Sequence, residues 1–62
     1  MTKTEQHKII QALREYEHRL RGREADEFQM MRKRDTDDEE LDRLSVQKLL
    51  GMYEKYVPER YR

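Results

Sequence analysis

The charge of this chain reverses sharply near its middle. The cations RKR at positions 32–34 are followed at 35–40 by DTDDEE, a run with five carboxylates. A helix leaves carbonyl groups unpaired at its C-terminal end and N–H groups unpaired at its start, so cations favour the end and anions favour the start. Thr36 and Glu39 have the spacing of a capping box, and Asp35 is a competing N-cap. The pattern predicts that one helix ends here and a second begins.

The first half of the chain has the periodicity of an amphipathic helix. Apolar side chains recur at steps of four, three and four residues from Ile9 to Leu20, which is typical of one helix face. Thr2 and Glu5 also have capping-box spacing. We therefore expect this helix to begin near Thr2 or Thr4.

Gly22 leaves two structures open for the rest of the first half. Continued helical periodicity puts Glu24 and Glu27 on the apolar stripe. In one structure the helix runs over about residues 4–33, and the glycine costs about 1 kcal/mol relative to alanine. In the other, Gly22 caps a first helix, and residues 24–33 form a short third helix. A lone glycine is a weak helix breaker, so we expect the continuous or gently kinked helix.

A second helix is expected over about residues 37–56, after a turn at 34–36. Pro58 ends it, because proline disfavours helical geometry at the preceding residue and lacks an N–H donor. Residues 57–62 are then a short tail. Apolar residues cover about half of the circumference of this helix, whereas contact with one neighbour needs a stripe of only about 100°. This width indicates more than one neighbouring helix.

A core of this size needs additional support. The chain has 62 residues, of which 34% are hydrophobic, and it has no cysteine, so disulfides cannot provide that support. In a two-helix monomer, Ile9 and Ile10 would have only the tail opposite them. We therefore expect an all-α, antiparallel helical hairpin that self-associates, most simply as a dimeric four-helix bundle.

Candidate chemical sites are poor matches to known chemistry. The acidic run departs from a calcium loop, since Glu40 stands where glycine is required and Val46 where the bidentate glutamate is required. His7 and His18 are three helical turns apart, about 16 Å, and cannot share an ion within one helix. Ser45 has no recognisable base partner. We expect no catalytic residue, no metal, no cofactor and no enzymatic activity.

The balance of charge bears on partners and location. The formal net charge is zero, with 14 cations and 14 anions. Residues 1–34 carry nine cations against six anions, and residues 35–62 carry five against eight, so antiparallel packing would bring opposite charges together. There is no apolar run of membrane-spanning length and no pattern typical of a signal peptide. These features predict a cytoplasmic protein.

The function expected from these patterns is a small protein–protein interaction or regulatory module, with itself and another protein as partners. The predicted interface consists of Ile9, Ile10, Leu13, Tyr16, Leu49, Leu50, Tyr53, Tyr56 and Val57. The alternative is a dimeric RNA- or DNA-binding hairpin that uses a basic face of helix 1. Its residues would be Arg14, Arg19, Arg21, Arg23, Arg32, Lys33 and Arg34. The zero net charge and the glutamates interleaved among these cations weigh against the alternative.

Overall fold

The computed structural model describes residues 1–61, which fold into three α-helices. The helices are α1 (Lys3–Arg14), α2 (Arg23–Thr36) and α3 (Arg43–Tyr56), and the two 3₁₀ turns are Glu17–Arg19 and Glu59–Tyr61. The described residues contain no strand, and the predicted all-α class is confirmed. The last predicted tail residue, Arg62, lies outside the described residues.

The start of α1 follows the predicted capping box. Thr2 Oγ1 accepts a hydrogen bond from the Glu5 N–H at 3.1 Å, and the Thr2 N–H donates to Glu5 Oε1 at 3.3 Å. Both bonds satisfy groups that the first helical turn leaves unpaired. Of the two predicted starts, Thr2 and Thr4, the structure has Thr2 as the N-cap.

The predicted continuous helix over residues 4–33 is wrong, because α1 ends at Arg14 and α2 begins only at Arg23. Between them the backbone becomes extended at Leu20 (φ −74°, ψ 140°), whose side chain is only 4% exposed. A continuous helix would have placed two glutamates on the core-facing stripe, where burial of carboxylates is costly. The break instead turns α2 so that Phe28 and Met31 are buried.

Gly22 occupies the N-cap of α2, with φ 55° and ψ −125°. The alternative prediction, with a separate helix after Gly22, is therefore nearer to the structure. However, Gly22 caps the start of that helix, α2, and not the end of α1. A backbone with this φ and ψ is open almost only to glycine, because a Cβ atom would clash with the neighbouring backbone. The glycine thus permits the change of direction that separates the two helices.

The acidic run does not start a helix, and the predicted capping box between Thr36 and Glu39 is wrong. Thr36 is the last residue of α2, and Asp38 adopts a left-handed conformation with φ 61°. The Glu39 N–H donates to the Arg34 carbonyl at 2.9 Å, and the Asp38 N–H donates to the Asp35 carbonyl at 3.0 Å. These two bonds form a Schellman motif, which closes α2 and leaves residues 37–42 as a loop.

Helix α3 starts later than predicted and ends where predicted. Its N-cap is Asp42, whose Oδ2 accepts from the Ser45 N–H at 3.3 Å and whose Oδ1 accepts from Ser45 Oγ at 2.7 Å. The helix ends at Tyr56, two residues before Pro58, as the proline pattern predicts.

The predicted antiparallel hairpin is formed by α2 and α3. Ion pairs join Glu27 near the start of α2 to Lys48 at 3.2 Å, and Arg34 at its end to Asp42 at 2.9 Å. Helix α1 packs on both helices, so a third helix covers the wide apolar arc of α3 within one chain. The longest dimension of the described chain is 26 Å, whereas an unbroken helix over 4–33 would be about 45 Å long.

One cluster of apolar side chains from all three helices and their connections forms the core. Its members are Ile10, Leu13, Leu20, Phe28, Met31, Leu41, Leu49, Met52 and Val57. The expectation that Ile10 has only the tail opposite it in a monomer is wrong. Helix α1 folds back onto α2 and α3, and the Ile10 side chain is 2% exposed. Among the described residues, no helix combines the length and the apolar content needed to cross a membrane.

Candidate interaction surface

Helices α1 and α3 run in the same direction. Near their starts, the Leu41 N–H donates to Gln6 Oε1 at 3.0 Å. Near their ends, Val57 lines one surface cavity together with Ala12 and Tyr16. The two helices therefore present a shared side along most of their length.

The residues that contact α2 show which sides of α1 and α3 face away from α2. On α1, His7 contacts α2, and the opposite side carries Ile9, Ala12 and Tyr16 at steps of three and four. On α3, Lys48 and Lys55 pair with α2. The opposite side of α3 carries Val46, Leu50 and Tyr53, again at steps of four and three. We call these six residues the α1/α3 face: Ile9, Ala12, Tyr16, Val46, Leu50 and Tyr53.

The α1/α3 face is apolar and partly open to solvent. Leu50 is 38% exposed, and the other five residues are half-buried against the core. A cavity of about 330 Å³ lies at one end of the face and is lined by Ala12, Glu15, Tyr16 and Val57. Among the described residues, no ion pair or side-chain hydrogen bond joins α1 to α3. Contact between these two helices is thus made by apolar packing. The solvent-exposed parts of the same side chains are available for apolar contact with a partner.

The opposite junction, between α2 and α3, is different. Its two most exposed apolar side chains are Met30 (67%) and Leu44 (68%). Charged groups bridge the junction, since Glu24 accepts a hydrogen bond from the Tyr56 hydroxyl at 2.6 Å and pairs with Lys55 at 3.6 Å. The Tyr56 hydroxyl first, and the Glu24 carboxylate second, raise the pKa of Lys55 above its ordinary value. This junction is closed by bonds within the chain.

The structure places the nine predicted interface residues in three different surroundings. Ile9, Tyr16, Leu50 and Tyr53 lie on the α1/α3 face, whereas Tyr56 points to α2. The remaining four are core residues, and assigning them to a partner surface is wrong, because each is 2% exposed or less. These four are Ile10, Leu13, Leu49 and Val57. Periodicity identified the apolar arc of each helix but could not divide it between the core and the open surface.

Two members of the face were missed by sequence reasoning. Ala12 and Val46 are small apolar residues, and each lies three or four positions from a predicted interface residue on the same helix. Their helical spacing was the available signal. Ala12 is the smallest side chain on the face and lies near the middle of the α1 part.

The seven cations of the predicted basic face are spread over several elements and do not share one helix face, since only Arg14 belongs to α1. Arg32 is paired with Glu17 at 2.5 Å, and Arg34 with Asp42 at 2.9 Å. Arg14 Nη1 donates to Gln11 Oε1 at 3.3 Å. Four of the seven have no side-chain hydrogen bond or ion pair among the described residues: Arg19, Arg21, Arg23 and Lys33. The guanidinium of Arg19 lies 5.7 Å from the centre of the Tyr16 ring.

A buried polar cluster joins α1 to the end of α2, and sequence reasoning missed it. Gln6 is 3% exposed, and its Nε2 donates to Asp35 Oδ1 at 3.1 Å and to the Glu39 carbonyl at 3.0 Å. His7 Nδ1 lies 2.6 Å from Asp35 Oδ2. A glutamine is usually exposed, so its burial has no signal in composition or spacing. The cluster positions α1 against the loop at residues 37–42.

The chemistry available to this cluster is limited to hydrogen bonding and charge pairing. The Asp35 carboxylate orients the His7 ring, but no nucleophilic side chain is hydrogen-bonded to that ring among the described residues. No group of three or more His, Cys, Asp or Glu in the described part of the chain is arranged to hold a metal ion. Comparison of the chain with protein-family models, with curated proteins and with solved structures gave no match.

Proposed function

We propose that this protein is a non-enzymatic, self-associating interaction module that binds through the α1/α3 face. The observation that carries the proposal is a row of six apolar residues along two parallel helices, of which Leu50 is exposed and five are half-buried, with charged groups at the edges of the row. Isolated exposed apolar residues are ordinary, but a contiguous patch is typical of an interaction site. Two copies joined by this face would bring four helices together, as in the dimeric bundle predicted from the sequence.

Tyrosine is well suited to such a surface. Tyr16 and Tyr53 are half-buried, with their rings packed against the core. A tyrosine presents a large apolar ring and a polar hydroxyl, a combination that is enriched at protein interfaces. The two rings therefore supply contact area without a charge to desolvate. The proposal includes a cytoplasmic location, which rests on composition, since a chain without cysteine gains no disulfide in an oxidising compartment.

Sedimentation equilibrium tests the proposal directly. The wild-type protein should associate at micromolar concentrations, and Leu50→Glu should abolish association because it places a charge within the apolar face. Leu44→Glu is the matched control, since this leucine lies on another side of the same helix and is 68% exposed. A wild-type protein that stays monomeric, or a Leu50→Glu variant that associates normally, would refute the proposed function.

Nucleic-acid binding is a second candidate, and one observation favours it. Arg14, Arg19, Arg21 and Arg23 are exposed and lie within ten residues around the connection between α1 and α2. This connection also contains the start of α2, where the helix dipole is positive. Anisotropy titrations with duplex RNA and DNA should then show affinity that falls steeply with salt. Absence of binding at low ionic strength would eliminate this candidate.

A further inference from the structure

We propose that a second copy of this chain docks on the α1/α3 face with its α1 antiparallel to the first α1, across a two-fold axis beside Ala12. This inference rests on the proposed function and specifies its partner and geometry. It is carried by two charged residues at the edge of the face, Lys8 and Glu15. Both are exposed, and neither side chain has a hydrogen bond or ion pair among the described residues.

The positions of these two charges follow the helical repeat of the face. Lys8 immediately precedes Ile9, and Glu15 immediately precedes Tyr16, so both charges lie along the same edge of the apolar stripe. They are seven residues apart, which is two helical turns. Ile9, Ala12 and Tyr16 have the spacing of alternate a and d positions of a heptad, and Lys8 and Glu15 then have the flanking g position.

This pattern is self-complementary only when the two α1 helices are antiparallel. A two-fold axis perpendicular to the helix, midway between positions 8 and 15, brings Lys8 of each copy to Glu15 of the partner subunit. In a parallel arrangement each g position instead faces an e position of the partner, and the e position that follows Lys8 is Leu13, which is buried, so the two charges would have no partner. Antiparallel helices also oppose their dipoles, which is favourable. Charge and dipole thus select the same arrangement.

The small side chain at the axis fits this geometry. The midpoint between positions 8 and 15 falls beside Ala12, and small residues at a crossing point allow helices to approach closely. An interface of standard size covers about 800 Å² of each partner, which is roughly a sixth of the 4716 Å² accessible surface of the described chain. The α1 and α3 parts of the face together provide a surface for such an interface.

Charge-swap variants test the geometry apart from the proposed function. Lys8→Glu and Glu15→Lys should each raise the dissociation constant of the homodimer by about tenfold, because each single change creates two like-charge contacts per dimer. The double variant Lys8→Glu/Glu15→Lys should return to within about threefold of wild type, since it restores both pairs with reversed polarity. Circular dichroism should show all three variants folded, because neither side chain has a hydrogen bond or ion pair in the part of the chain that the structure describes.

A mixture of the two single variants gives the sharpest readout. Each variant alone repels itself, but a heterodimer of Lys8→Glu with Glu15→Lys brings a glutamate to a lysine at both contacts. Native mass spectrometry should therefore show heterodimer in excess over either homodimer. A statistical mixture, or a double variant as weak as the single variants, would overturn the antiparallel geometry while association through the face stands. Loss of association in the wild-type protein would instead overturn the proposed function itself.

Discussion

Gln6 is the residue on which the position of α1 most depends. Its side-chain amide forms three hydrogen bonds that link α1 to Asp35, Glu39 and Leu41, and no buried side-chain polar atom in the described chain lacks a partner. A buried polar group that loses its partner costs more than an ordinary hydrogen bond is worth. The amide therefore stabilises one arrangement of the three segments and penalises others.

Replacement of Gln6 tests this role at the residue scale. Gln6→Met keeps the length of the side chain and leaves the Leu41 N–H without its acceptor. We expect the free energy of unfolding in urea to fall by about 1–3 kcal/mol. Gln11→Met is the control on the same helix, because Gln11 is exposed and its side chain bonds only the exposed Arg14 among the described residues. It should change stability by less than about 0.5 kcal/mol. Equal effects of the two substitutions would contradict the role of Gln6.

The two glycines of the chain should respond to alanine in opposite directions. Gly22 has φ 55°, so Gly22→Ala should lower the free energy of unfolding by about 1–3 kcal/mol through backbone strain. Gly51 is inside α3, and no atom lies within 4 Å of the Cβ that alanine would add. Gly51→Ala should therefore raise stability by about 0.5–1 kcal/mol, as in an ordinary helix. Stabilisation by Gly22→Ala in thermal or urea unfolding would show that the helix continues through this position.

At the scale of the elements, the start of α3 makes stability depend on acidic pH. The hydrogen bonds from Ser45 first, and from Arg34 second, hold the pKa of the Asp42 carboxyl far below its ordinary value. The pKa of Asp42 is thus lower in the folded chain than in the unfolded chain. The ionised carboxylate therefore stabilises the folded state above the ordinary pKa of aspartate, and this stabilisation is lost as pH falls below about 4. Protonation of Asp42 removes the negative charge with which Ser45 and Arg34 interact favourably.

Unfolding of Asp42→Ala as a function of pH tests this cap. The variant should have a lower melting temperature than wild type at neutral pH, and the difference should shrink as pH falls below about 4. Thr36→Ala is the control, since Thr36 is exposed and its side chain caps neither helix. A large loss of stability in Thr36→Ala would support the capping box that the sequence predicts and the structure lacks. A difference between Asp42→Ala and wild type that is independent of pH would contradict the charged cap.

The sequence predicted the elements that depend on neighbouring residues and failed where distant contacts decide. The Thr2–Glu5 box and the stop before Pro58 are local and were predicted correctly. The Thr36–Glu39 box is just as local, but Asp38 takes a left-handed conformation instead. The Asp35 carboxylate and the Glu39 carbonyl accept hydrogen bonds from Gln6 of α1. No pattern within residues 35–40 contains that partner.

The candidate surface was half predictable for a similar reason. Helical periodicity identified Ile9, Tyr16, Leu50 and Tyr53, which do lie on the α1/α3 face. It could not separate them from Ile10 and the other core positions, because that division depends on where α1 crosses α3. The break before Gly22 determines that crossing, and it follows from the burial of Leu20 in the assembled core.

At the scale of the whole molecule, adjacent leucines on α3 should have distinct functions. Leu49 is fully buried and Leu50 is 38% exposed. Leu49→Ala should lower the free energy of unfolding by about 2–5 kcal/mol, a large share of the roughly 3–9 kcal/mol expected for a domain of this size. Leu50→Ala should cost about 1 kcal/mol or less but weaken self-association.

Two measurements on the same samples separate these effects. Urea unfolding at low protein concentration reports the stability of the single chain, and sedimentation equilibrium reports association. Leu50→Ala should change mainly the second measurement. If both substitutions reduce unfolding stability equally, the division between core and open face is wrong.

The hydrogen bonds of Gln6 also bear on the order in which the chain can fold as it is synthesised. Their partners lie 29 to 35 residues later in the chain, so α1 emerges from the ribosome before any of them does. Synthesis of that stretch takes roughly 2–7 s at bacterial or eukaryotic rates, and an isolated helix of 12 residues is marginal in water. Helix α1 consequently emerges before the groups that position it. Until residue 41 emerges, the nascent chain exposes Ile10 and Leu13, which makes this interval the one in which a chaperone would bind.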